Sequence, residues 1–222
     1  MKEKTYLKQK INIYTKKWIY IQKNKKLYKC INYIMLKRFL LVVVLIIVVS
    51  ALPIIIFFSQ FKIEYKDIIT NELKGQNILS KSLIFAIIKA ESNFDEKAKS
   101  NKDAFGLMQI TFPTAQELAG KEGIKITIND LYNPNINIKL GVRYLEDLYE
   151  IFGDINYIIL AYNAGPNRVK SWIENEEIKK EKGQIKTPFI ETTNYIKKVL
   201  NNQKIYKIIL KEKWWNYLQM PR

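Results

Sequence analysis

The chain has 222 residues, 37 of them Lys or Arg and 21 Asp or Glu, which gives a formal charge of +16, and it contains no His. Without His there is no Ser-His-Asp or Cys-His machinery, no His-ligated zinc and no imidazole proton shuttle, so acid-base chemistry falls to Asp, Glu, Lys or Tyr. A single cysteine, Cys30, rules out an intrachain disulfide and a multi-cysteine metal site, and the 48% hydrophobic content is enough for one core held by ordinary packing.

The basicity is concentrated at the start. Residues 1–38 carry twelve Lys or Arg against one acid, Glu3, whereas the remaining residues carry 25 against 20. Lys alternates there with Tyr6, Tyr14, Trp18, Tyr20, Tyr28 and Tyr33. That pattern is open to nucleic acid through phosphate contacts and stacking, but a polybasic segment held to anionic lipid beside a membrane needs no further assumption, so no nucleic acid is expected. The run Phe39 to Phe58 has no charge for 20 residues. At the helical rise it reaches roughly 30 Å, the thickness of a bilayer's hydrocarbon core, and reads as a single-pass transmembrane anchor that tolerates Pro53. A cleaved signal peptide competes with this reading: Val49-Ser50-Ala51 resembles a cleavage site, and Met35-Leu36-Lys37-Arg38 would be a short positive region if translation began at Met35. The apolar residues continuing from Leu52 to Phe58 favour the anchor. The positive-inside rule then puts residues 1–38 in the cytoplasm and everything from residue 59 outside it.

Residues 59–76 are polar and mixed and read as a stalk, and a domain is expected over residues 77–212, followed by a basic tail at 213–222 that contains Trp214 and Trp215. From residue 77 on the periodicity is helical. Ser80 or Ser82 can cap a helix with Leu83, Ile84, Ile87 and Ile88 on one stripe, and Glu91 extends that stripe to its end. Burial and the negative pole of the helix both raise the pKa of such a carboxyl, which suits a general acid; the alternative is a terminal glutamate that reaches solvent. Further helices are expected after Thr111-Phe112-Pro113, from Asn135 to Phe152 closed by Gly153, from Asp154 to Asn163, after Asn167 as a cap, and around Tyr195, Ile196, Val199 and Leu200.

Four separated motifs, Ala90-Glu91-Ser92 with Phe94, Gly106-Leu107-Met108-Gln109, Asn137-Ile138-Lys139-Leu140-Gly141 before Tyr144-Leu145, and Ala161-Tyr162-Asn163-Ala164-Gly165, are followed by Glu191-Thr192 with Tyr195. In this order and spacing the stretch resembles the catalytic domain of the soluble lytic transglycosylases, relatives of goose-type lysozyme that cleave peptidoglycan glycan strands. The resemblance implies a mainly α, lysozyme-like domain, no cofactor and no metal, and peptidoglycan as partner. It makes Glu91 the acid-base residue, which protonates the glycosidic oxygen between N-acetylmuramic acid and N-acetylglucosamine and then deprotonates the muramyl C6 hydroxyl, closing a 1,6-anhydro ring. It assigns substrate binding to Ser92, Gly106, Met108, Gln109, Tyr162, Asn163 and Tyr195. Within this set Gly106 lets the backbone approach a sugar, Met108 and Gln109 line the cleft, Tyr162 faces the carboxyl, Asn163 holds its loop and Tyr195 forms a cleft wall. Leu107 and Ile110 are expected in the core, and Gly141 at a close packing contact. Asp103 stands where relatives often have glycine, which keeps open a hydrolytic, lysozyme-type reaction with a second carboxylate; a turn-forming role is the other reading. A domain that only binds glycan, as a scaffold, is the third alternative. The expected location is the bacterial cell membrane, with the catalytic domain outside the cytoplasm.

Overall fold

The structure, a computed structural model, describes residues 2–181 and 184–212, so Trp214 and Trp215 lie outside the described residues. The chain divides into two compact units, Met1–Gln60 and a second that begins at Phe61.

The first unit is one helix, α1 (Lys2–Ser59), which runs through Pro53. Among the described residues it is the helix long and apolar enough to cross a membrane, with a mean hydropathy of 3.4 in its most apolar stretch. The side chains of Phe39, Leu41, Ile46 and Val49 are exposed on it.

The second unit is built from seven α-helices, one short 3-10 helix (Ile128–Tyr132) and two small hairpins among the described residues: α2 (Lys66–Glu72), α3 (Lys81–Glu91), β1 (Ala104–Phe105), β2 (Ile110–Thr111), α4 (Phe112–Lys121), α5 (Pro134–Phe152), α6 (Ile155–Ala164), α7 (Pro166–Glu174), β3 (Lys179–Glu181), β4 (Gln184–Lys186) and α8 (Ile190–Ile209). The caps are local and chemical. Ser80 Oγ accepts from Leu83 N (3.1 Å), Asn133 Oδ1 from Asn135 N (2.9 Å) and Asp154 Oδ1 from Asn156 N (2.7 Å). Gly153 closes α5 at φ 63, where a side chain would be strained. Helix α7 is capped two residues earlier than the expected Asn167: Gly165 stands at the cap and Pro166 occupies the first turn, where its missing N–H costs nothing.

Helix α3 is the axis of this unit. Every residue from Ser82 to Ile88 is buried, so the expected single stripe is in fact apolar on all sides. Its longest partner is α8, which contributes Ile196, Val199 and Tyr206 to the same core. The stretch read as a stalk is also different from expectation. Residues 66–72 form α2, and Ile69 and Leu73 are 0% and 8% exposed in the core, because a short helix that can bury two large aliphatic side chains gains more by docking than by staying solvated. The hairpins were not legible as strands. In β1–β2, Ala104 pairs with Thr111 and Phe105 with Ile110, leaving Gly106–Gln109 as the connecting loop.

Candidate active site

That loop is fixed before any ligand arrives. Gly106 has φ 72, and a Cβ there would run into the Leu131 carbonyl oxygen and the Asn137 amide. Asn137, fully buried in the first turns of α5, donates from Nδ2 to Phe105 O (2.9 Å) and Leu131 O (2.8 Å) and accepts at Oδ1 from Met108 N (2.7 Å). Close packing on Asn137 and Leu131 therefore requires a glycine at 106 whether or not a sugar is present. Met108 departs from expectation: it is 0% exposed, and its sulfur lies where a Cβ on Gly141 would sit, so it fills the core and presents only its backbone. Leu107 and Ile110 are core residues, as expected.

Glu91 is the last residue of α3 and is half-buried. Tyr195 Oη on α8 donates to Glu91 Oε1 at 2.5 Å. Tyr162 Oη on α6 donates instead to Met108 O at 2.8 Å, and its ring lies 5.3 Å from that of Tyr144. Tyr195, expected as a cleft wall, thus holds the carboxyl, while Tyr162, expected to face the carboxyl, lies near enough to feel its charge but spends its hydroxyl tying the 106–109 loop to α6. Each is brought to the carboxyl's neighbourhood by a different helix, and the Glu91 charge together with burial pushes both hydroxyls well above the usual tyrosine range.

Burial pushes the Glu91 carboxyl up to about 7, against the opposing pull of the Tyr195 hydroxyl and the ammonium groups of Lys198 and Lys102. At neutral pH such a group divides its time between acid and base. Lys198 Nζ donates to Ala90 O (2.7 Å), and Lys102 is paired with Glu191 (3.2 Å). Asp103 sits elsewhere in role: it is a surface turn residue at φ 53, paired with Lys99 at 3.1 Å, and its side chain is 77% exposed. No carboxylate is among the groups whose charge bears on Glu91, among the described residues.

The remaining expected contacts are mostly internal. Ser92 Oγ donates to Leu107 O (2.8 Å) and accepts from Phe94 N (3.2 Å), which splices the end of α3 to the loop and leaves the hydroxyl committed. Gln109, at φ 49, donates from Nε2 to Ala98 O (3.1 Å) and Gly106 O (2.9 Å), so its amide nitrogen braces the loop and does not reach outward. Asn163 is half-buried in the last turn of α6, beside the Gly165 cap. Two residues that matter here, Asn137 and Lys198, were not singled out for the site from sequence. Asn137 had a signal, since a polar residue on the buried stripe of α5 with Leu140 and Gly141 must be paired. Lys198 had none, because its partner is 108 residues away.

A helical domain that holds one elevated carboxyl at the end of a central helix, with a tyrosine hydroxyl on it and no carboxylate partner, has the construction of a lysozyme-like glycan-cleaving domain. The chain belongs to the transglycosylase SLT domain family, which matches residues 68–185. It is 34% identical over 165 residues to the soluble lytic murein transglycosylase of Salmonella typhimurium, covering 70% of this chain and 25% of that protein. It is 32% identical over 154 residues to the membrane-bound lytic murein transglycosylase C of Serratia proteamaculans, covering 58% of this chain and 43% of that one. Among solved structures, the 70 kDa soluble lytic transglycosylase of Escherichia coli superposes with a TM-score of 0.61 at 30% identity, over 69% of this chain and 25% of that one. Its complex with bulgecin A gives a TM-score of 0.62 at 30% identity, over 70% of this chain and 26% of that one. The chain thus spans about a quarter of the soluble relatives it matches.

Proposed function

We propose that this protein is a membrane-anchored lytic transglycosylase that cleaves the bond between N-acetylmuramic acid and N-acetylglucosamine in peptidoglycan. The observation that carries the reading is the single carboxyl of Glu91, raised to about 7 by burial and hydrogen-bonded by Tyr195, with no carboxylate acting on it. Protonated Glu91 gives its proton to the glycosidic oxygen as the C1–O bond breaks. The carboxylate left behind takes the proton of the muramyl C6 hydroxyl as that oxygen bonds to C1. The ring closes as a 1,6-anhydro sugar, no water is consumed, and Glu91 ends protonated as it began. A substrate hydroxyl as nucleophile removes the need for the second carboxylate of ordinary glycoside hydrolysis.

The anchor reading rests on α1 and on the membrane-bound relative. The uncharged run from Phe39 to Phe58 crosses the membrane once, the basic residues before it stay in the cytoplasm against anionic lipid, and the glycan-cleaving domain faces the wall. Digestion of purified peptidoglycan by the detergent-solubilised protein, read by mass spectrometry, tests the activity. The expected products lack one water and a reducing muramyl end, are made in near-normal yield by Asp103→Asn, and are absent with Glu91→Gln. Predominantly reducing ends that disappear in Asp103→Asn would make the reaction hydrolytic.

A further inference from the structure

Helix α8 delivers two donors from one face to two consecutive residues of α3. Tyr195 and Lys198 are three residues apart, and three-residue neighbours lie over one another on a helix. Tyr195 Oη reaches the Glu91 carboxyl, and Lys198 Nζ reaches the carbonyl of Ala90, at 2.7 Å. The end of a helix carries unpaired carbonyls and a partial negative charge, an unfavourable place to create an anion. Part of that end is closed by the chain itself: Ile88 O accepts from Ser92 N (3.0 Å). The Ala90 carbonyl is met by Lys198.

We propose that Lys198 is a positioning residue for the reaction: by docking its ammonium on the Ala90 carbonyl it neutralises the negative end of α3 and makes that end able to carry the Glu91 carboxylate formed between bond cleavage and ring closure. This rests on Glu91 being the acid and then the base. Lys198 touches neither substrate nor the reacting carboxyl; it acts through the helix end that both share. The other groups around Glu91 are the Tyr195 hydroxyl from the same face of α8, the Tyr162 hydroxyl from α6, and Lys102 from the loop before β1, whose charge is shared with Glu191. Lys89 of α3 is close enough to Lys198 for the two ammonium groups to oppose each other, yet Lys89 Nζ is engaged with Asn93 Oδ1. Lys198 is thus the cation bound directly to the backbone that bears the acid.

The test compares pH–rate profiles of the full chain in detergent on a defined glycan substrate, for the wild type, Lys198→Met, Lys198→Arg and Glu91→Gln. Lys198 is on the surface, so neither variant disturbs the core. Removing a cation from a helix end should move the basic limb of the Lys198→Met profile up by about half a pH unit to one unit, with kcat lowered at neutral pH and KM unchanged. Lys198→Arg should restore the limb. A clip of purely structural value would lower the melting temperature and leave the limb in place. An unmoved limb in Lys198→Met together with an inactive Glu91→Gln overturns the proposal and keeps Glu91 as the acid. Retained activity in Glu91→Gln overturns both.

Discussion

Replacing the acid should make the protein more stable, and the amount depends on pH in a way that follows from burial. The carboxyl of Glu91 rises from the ordinary 4.5 to about 7 on folding. Between those values the native state holds a proton that the unfolded chain has released, so native stability falls as pH rises through this window; below about pH 4.5 both states are protonated and the penalty vanishes. At 1.36 kcal/mol per pH unit the full gap is about 3 kcal/mol, and solvent at the half-buried carboxyl trims it to roughly 2–3 kcal/mol. Gln has the same shape, carries no charge and can accept the Tyr195 hydroxyl hydrogen, so Glu91→Gln removes the penalty and keeps the contact. For a domain of this size 1 kcal/mol is about 2–4 °C, so the variant should melt roughly 5–10 °C above the wild type at pH 8 and within about 2 °C of it at pH 4.5. Thermal unfolding of the full chain in detergent, followed by the fluorescence of buried Trp172, reads this directly. A variant no more stable than wild type at pH 8, or one that gains equally at both pH values, would falsify the claim that desolvation raises this carboxyl.

Three further outcomes follow from the same geometry. Tyr195→Phe removes the hydrogen bond that favours the Glu91 carboxylate, and a bond to a charged group is worth about 1.5–3 kcal/mol, so the basic limb of the pH–rate profile should move up by about one to two units; a downward move in that profile would contradict the assignment. Asn137→Ala strands Met108 N–H and the carbonyls of Phe105 and Leu131 in the core, at about 1–3 kcal/mol each, so the melting temperature should fall by about 10 °C or more, and a drop under about 3 °C would show that water replaces the amide. Protease added to intact spheroplasts should digest the domain from residue 61 on and spare an N-terminal fragment, whereas protection of the domain would reverse the topology.

What the sequence made legible was local chemistry. Ser80, Asn133, Gly153 and Asp154 each act within a few residues of themselves, and each stands at the helix end their type suggests. The burial of Glu91 was legible for the same reason, since a four-residue step from Ile87 places it on the same face. The choice between the two tyrosines was not. Tyr162 and Tyr195 are carried on different helices, and which hydroxyl reaches the carboxyl is set by how α8 packs on α3 and α6 on α8. Helix α2 gave no signal, because Tyr65 at its start offers the helix no side-chain cap, its hydroxyl donating instead to Glu96, and the helix is held by two aliphatic residues packed on distant ones. The β3–β4 hairpin is almost wholly exposed, so it lacks the alternation by which a half-buried strand announces itself.

The enclosure of α3 on every side ties chemistry to folding in one cooperative unit. Its amides from Leu83 to Ile88 have no route to solvent short of losing the packing of α8 and α2, so their exchange with deuterated water should track complete unfolding of the domain. Glu91 hangs from the end of that same rod. Loop movement alone therefore leaves the backbone of Glu91 in place, and displacing it requires loss of the α3 packing. Damage to the core far from the cleft should reduce the number of active molecules and leave the turnover of each survivor intact.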